Sequence, residues 1–144
     1  MKKLLLLFLL LNFLNVSAQH YHMLVGTYDS QKSGGIYVYD FDSKNGIAKE
    51  ISHVKTSNSS FLAVAKNNKF VYAVNENANK NGNGGSISSF SFNNKKGILL
   101  FINQQSSEGN HPCHTAIDNG GKWLSVSNYS TGNLSLLPIK KMER

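Results

Sequence analysis

The chain has 144 residues, enough for one domain, and a formal charge of +7 from 15 Lys and Arg against 8 Asp and Glu. Lysines fall mostly in turn-like stretches (Lys44, Lys66, Lys69, Lys95, Lys96, Lys122), and the only arginine is Arg144. A nucleic-acid binder would cluster arginines along one face with aromatics between them, so no nucleic-acid partner is expected, and the lysines read as solubilising turns and strand edges. A single cysteine, Cys113, excludes an intrachain disulfide and leaves the fold to be held by core packing.

The first residues read as a signal peptide at 1–18. Met1-Lys2-Lys3 is basic, residues 4–14 are apolar apart from Asn12, and Val16-Ser17-Ala18 has the small-residue form of a cleavage site. The apolar run is shorter than the ~20 residues a spanning helix needs, so no membrane span is expected. No cysteine lies near the cut to carry a lipid anchor. Removing Lys2 and Lys3 with the leader leaves a mature chain, 19–144, at +5. Its expected location is periplasmic or extracellular.

Beyond residue 18 helical periodicity is almost absent. Short runs rich in Val, Ile, Phe and Tyr, at 23–27, 36–41, 61–65, 70–74, 86–92, 98–104, 115–117, 123–127 and 134–139, alternate with Gly, Asn, Ser and Lys clusters. This pattern predicts an all-β protein. The runs also repeat. Phe61-Leu62-Ala63-Val64 and Lys69-Phe70-Val71-Tyr72-Ala73-Val74-Asn75 match His114-Thr115-Ala116-Ile117 and Lys122-Trp123-Leu124-Ser125-Val126-Ser127-Asn128 at an offset of 53 residues. Gly85 to Phe92 then matches Gly132 to Ile139 at an offset of 47, so the first copy carries six extra residues around 79–84. A partial earlier copy runs through Val25-Gly26-Thr27-Tyr28 and Gly35-Ile36-Tyr37-Val38-Tyr39. Four short strands per repeat of ~50 residues is β-propeller spacing. About two and a half blades are present where a ring needs four to eight. The chain stops just after what reads as an outer-strand pattern, with edges and inter-blade faces unpaired. A partial propeller at 19–144, truncated at its C-terminus, is therefore expected. Its partners would be the remaining blades of its own full-length chain, or further copies by self-association if the chain truly ends there.

Propeller geometry turns the repeat into a map. Asn67-Asn68 and Asn119-Gly120-Gly121 read as the tight turns between the two inner strands of each blade. Residues 111–114, at the start of an inner strand, then belong on the opposite face beside the central channel. Asn75-Glu76 and Asn128-Tyr129, leaving the second strand, arrive at that same face, as do Thr27-Tyr28 in the first copy. One mouth therefore collects His111, His114, Glu76, Asn75, Asn128, Tyr129 and Tyr28, the kind of loop cluster where binding and chemistry sit. By the repeat, His114 replaces Phe61 and His111 replaces Asn58. A histidine in place of an aromatic points to chemistry; the alternative is that it fills the same space and bonds a carbonyl.

Other chemistries fit less well. His111-Pro112-Cys113-His114 offers metal ligands, but adjacent strand residues point to opposite sides, and the only other close His pair is His20 and His22, so no metal is expected. No Asn or Asp is spaced to orient a base for Cys113. Residues 81–85 are Gly-rich but precede no helix, which excludes a phosphate loop. Asn58, Asn128 and Asn133 each begin a glycosylation sequon, a pattern that arises readily in Asn- and Ser-rich repeats.

Val25-Gly26-Thr27-Tyr28, Gly35-Ile36-Tyr37-Val38-Tyr39, Ser60-Phe61-Leu62-Ala63, Tyr72-Ala73-Val74-Asn75-Glu76, Asn103-Gln104-Gln105-Ser106, His111-Pro112-Cys113-His114 and Ser127-Asn128-Tyr129-Ser130 together resemble the lactonase family of seven-bladed propellers. That family includes the propeller-type 6-phosphogluconolactonases and the 3-carboxy-cis,cis-muconate lactonising enzymes. The resemblance implies cofactor- and metal-independent chemistry on a small-molecule lactone of a sugar or carboxylic acid. It implies His114 as the general base; the substrate is expected against the residues that the repeat map gathers around it, His111, Glu76, Asn75, Asn128, Tyr129 and Tyr28. No arginine here matches the family's anion-binding arginine, and its later glutamate would lie past residue 144, so the fragment alone is expected to be inactive. Export argues against a phosphorylated sugar lactone and for other lactones. Two alternatives stand beside the hydrolase: a muconate cycloisomerase-like enzyme, and a secreted non-catalytic propeller that binds a ligand or protein.

Overall fold

The computed structural model describes residues 20–140. The leader reading at 1–18 lies outside the described residues. Ten strands follow one another: β1 (His20–Thr27), β2 (Gly35–Asp42), β3 (Ile47–Val54), β4 (Leu62–Val64), β5 (Phe70–Asn75), β6 (Ser86–Asn93), β7 (Ile98–Ser106), β8 (Pro112–Ile117), β9 (Trp123–Asn128) and β10 (Asn133–Pro138). They form three antiparallel sheets in the orders β1-β2-β3, β4-β5-β6-β7 and β8-β9-β10. These are three successive blades, referred to below as the first, second and third.

The second blade is a complete four-stranded sheet, and its β5 explains the stacking. Along Phe70-Val71-Tyr72-Ala73-Val74-Asn75, alternate side chains leave opposite faces. Val71 and Ala73 pack with Ile36, Val38, Phe90, Phe92 and Leu99 against the first blade. Tyr72 and Val74 pack with Ile87, Leu124 and Val126 against the third. A strand buried on both faces has no polar side, which is why this segment reads as an unbroken apolar run. Fully burying each such side chain is worth ~1.5–3 kcal/mol, and these two seams take the place of disulfides.

Three sequence expectations change. First, β3 was not among the expected strands. It is the outermost strand of its blade and mostly exposed, so Ile47-Ala48-Lys49-Glu50-Ile51 carries charges where a buried strand carries Val or Ile. Second, the last strand is not the outermost of its blade. β10 pairs with β9 and is the counterpart of β6, so the place corresponding to β7 is unfilled among the described residues. Third, β8 starts at Pro112, and the register slips between Pro112 and His114. This bulge makes Cys113 the extra residue, and Cys113 and His114 are both exposed instead of alternating.

Candidate active site

Up-and-down strands put alternate connections at opposite ends. The loops 28–34, 55–61, 76–85, 107–111 and 129–132 gather at one end of the inner strands; the tight turns, including the Lys66 Nζ to Asn119 Oδ1 link of 3.1 Å, lie at the other. Both inner strands reach the loop end through the same backbone device. Asn58 and His111, equivalent by the repeat, are left-handed at φ 42° and 50°. Their carbonyls then accept the N–H of Glu76 (3.0 Å) and of Tyr129 (2.9 Å), fastening inner strand to second strand in each blade. Asparagine tolerates this conformation and histidine does so at a cost.

Glu76 is the most tightly held side chain of the mouth. Its Oε2 accepts from the Tyr28 hydroxyl at 2.7 Å and from the Ser60 hydroxyl. Tyr28 occupies in the first blade the place of Glu76 in the second, so equivalent positions clasp across the blade junction. The bond to the carboxylate pushes the Tyr28 pKa above its ordinary value, and the neighbouring Cys113 adds to the rise.

His114 lies with its ring against Phe61, centroids 4.4 Å apart and planes inclined by 49°. The two residues that the repeat aligns are thus neighbours on adjacent inner strands. His114 is exposed and its side chain makes no hydrogen bond to the described residues, so its ring nitrogens are unpaired among them. It does not bond a carbonyl. His111 is tied down: its Nδ1 is 2.7 Å from Ser130 Oγ, and its backbone N–H donates to Asn77 O at 2.9 Å.

Asn75 and Asn128 are not on the mouth surface; they lie beneath it, 0% and 2% exposed. Asn75 Nδ2 donates to Thr56 Oγ1 and to Ser57 O, and its Oδ1 accepts from Ser88 Oγ and Gln104 Nε2. Asn128 Nδ2 donates to Ser107 O at 2.8 Å, whereas its buried Oδ1 has no partner among the described residues. Tyr129, 79% exposed, stands free on the rim. Of the sequence-derived set, then, Tyr28, Glu76, His111, His114 and Tyr129 share one end of the molecule, and the two asparagines shape the loops under it. Sequence reasoning passed over Ser60, Phe61 and Ser130. The repeat held a signal for two of them, since Ser60 aligns with Cys113 and Phe61 with His114. Among the described residues, no three His, Cys, Asp or Glu side chains come together as a metal site.

Successive antiparallel blades packed face to face in this way define a partial β-propeller. Residues 22–144 match the family model of the lactonase seven-bladed β-propeller, and the chain belongs to that family. It is 40% identical over 119 residues to a 6-phosphogluconolactonase of Formosa agariphila, covering 81% of this chain and 33% of that one. It is 29% identical over 118 residues to a 6-phosphogluconolactonase of Bacillus subtilis, again covering 81% and 33%. Among solved structures it is similar to the periplasmic gluconolactonase of Pseudomonas aeruginosa, with a TM-score of 0.77 and 35% identity, covering 85% of this chain and 35% of that one. The chain thus spans about a third of the length of these relatives. Among the described residues no helix is long and apolar enough to cross a membrane.

Proposed function

We propose that these blades belong to an exported lactone hydrolase of seven blades, acting on a sugar lactone, in which His114 is the general base. The observation that carries this is an exposed imidazole with no hydrogen-bond partner among the described residues, set at the loop end of an inner strand in a chain of the lactonase family. The likeness to a periplasmic gluconolactonase supports both the export reading of residues 1–18 and a substrate without phosphate.

The chemistry follows from the ring nitrogens being open. His114 removes a proton from water as the water oxygen bonds to the lactone carbonyl carbon. The tetrahedral oxyanion then collapses, the ring C–O bond breaks, and the departing alkoxide recovers the proton from the imidazolium. The product is the open hydroxy acid. Phe61 fixes the tilt of the imidazole from one side. The remaining blades of the ring would close the channel wall and bring the groups that stabilise the oxyanion.

In the protein carrying all its blades, His114→Ala should lower kcat for glucono-1,5-lactone by about 10²–10⁴-fold, the usual worth of a positioned base. Hydrolysis at the wild-type rate would remove His114 from the mechanism. Mass spectrometry of the exported protein should find Gln19 at its N-terminus; a chain still beginning at Met1 would overturn the export reading.

A further inference from the structure

We propose that Glu76 is the hydroxyl-reading anchor of the mouth, a carboxylate set by Ser60 and Tyr28 to grip the hydroxyls of a polyhydroxy ligand. This inference rests on the lactone reading above for the reaction but not for the binding. Both donors converge on one oxygen, Oε2, and Oε1 has no partner among the described residues. A carboxylate free on a loop would average over rotamers. Two hydroxyl bonds to Oε2 instead fix its plane and leave Oε1 as the acceptor edge without a partner among the described residues. Once their protons are committed to Glu76, the Tyr28 and Ser60 oxygens keep lone pairs but no hydrogens. The cluster is therefore all acceptor, and its complement is a ligand presenting adjacent O–H donors, as a sugar ring does. Hydrogen bonds to a charged group are the stronger ones, which suits a specificity contact.

The repeat supplies an internal control. Positions 60 and 76 in the second blade correspond to 113 and 129 in the third, where Cys113 and Tyr129 stand. There the thiol turns to the Ser127 carbonyl at 3.8 Å and Tyr129 is exposed, so no clasp forms. Fold geometry alone does not produce the Ser60–Glu76 contact; the residue pair does. Ser60 and Tyr28 are accordingly positioning residues, and Glu76 is the group that meets ligand.

The test compares glucono-1,5-lactone with δ-valerolactone, which lacks ring hydroxyls, on the protein carrying all its blades. Glu76→Gln should cut the kcat/KM preference for gluconolactone over δ-valerolactone about tenfold, through KM and not kcat. Ser60→Ala and Tyr28→Phe, milder changes that keep the packing, should each cut it severalfold. An unchanged preference, or a fall in kcat with KM constant, overturns the assignment. Calorimetric binding of D-glucitol separates the two proposals. Glu76-dependent binding without lactone hydrolysis upholds the anchor and sinks the hydrolase. Hydrolysis and glucitol binding that both ignore Glu76→Gln uphold the hydrolase and sink the anchor.

Discussion

Asn75 and Asn128 occupy the same place in neighbouring blades, and their surroundings differ in one strand. Asn75 is bonded through both its amide nitrogen and its oxygen, to partners on the loop before β4, on β6 and on β7. Asn128 keeps the bond to the preceding loop, but its buried oxygen has no partner among the described residues, which include no counterpart of Gln104 in the third blade. Ser135, the counterpart of Ser88, turns instead to the Ser107 carbonyl at 2.6 Å. In these two blades the loops at the mouth are shaped from below by a buried asparagine, and in the second blade the outermost strand supplies one of its partners.

The largest expected effect tests the junction next to the satisfied asparagine. A Cβ at Gly26 would lie 1.9 Å from the Ser59 carbonyl oxygen, a backbone atom that cannot step aside. Gly26→Ala should cost about 3 kcal/mol or more in urea unfolding. A near-neutral result would show that the first two blades are not locked together there. Next comes Asn75→Ala, which strands several buried partners and should cost about 3 kcal/mol. Asn128→Ala removes one bond and one orphaned oxygen, and should cost about 1 kcal/mol. Equal losses at the two sites would erase the distinction between the blades. His111→Asn should be neutral or gain roughly 0.5 kcal/mol by easing the left-handed backbone that Asn58 already tolerates; a clear loss would mean that the Ser130 contact outweighs the strain.

The smallest effect lies at the opposite end, in the β8–β9 turn. Asp118 accepts backbone N–H bonds from Trp123, Lys122 and Gly120, which hold its carboxyl below the usual carboxylate range. A depressed folded pKa means the contribution is complete above the unfolded value of about 3.9 and fades as pH falls through the lower folded value. Asp118→Asn should lower Tm slightly at neutral pH and flatten the Tm-against-pH curve below pH 4. The second blade has Ala65 at this position and should show no such dependence.

Much of this was legible in the sequence because propellers repeat. The offset between Lys69 and Lys122 aligned the inner strands, identified which residues share the mouth, and singled out His114 against Phe61. What it missed has physical causes. The strand β3 was invisible because an outer strand, wet on much of its surface, is not required to be apolar. The bulge at Cys113 could not be read because alternation is assumed, not observed, along a strand. Asn75 and Asn128 looked like rim residues because a buried amide and a solvated one are written with the same letter; only their partners distinguish them. The Ser60–Glu76 clasp depends on two side chains sixteen residues apart meeting across a hairpin, and the repeat hinted at it only by changing both members together.

The long loop of the second blade, residues 76–85, is shaped by a residue that comes later. Asn110 Oδ1 accepts the N–H groups of Asn79 (3.2 Å) and Gly84 (2.8 Å), its Nδ2 donates to Asn79 O (2.9 Å), and the next residue, His111, donates its N–H to Asn77 O. During synthesis the β5–β6 hairpin, complete at Asn93, emerges about 17 residues before that template exists. The loop that carries Glu76 must therefore wait open until the lead-in to the third blade arrives. In order of assembly, the mouth is finished blade by blade, each rim set by its successor.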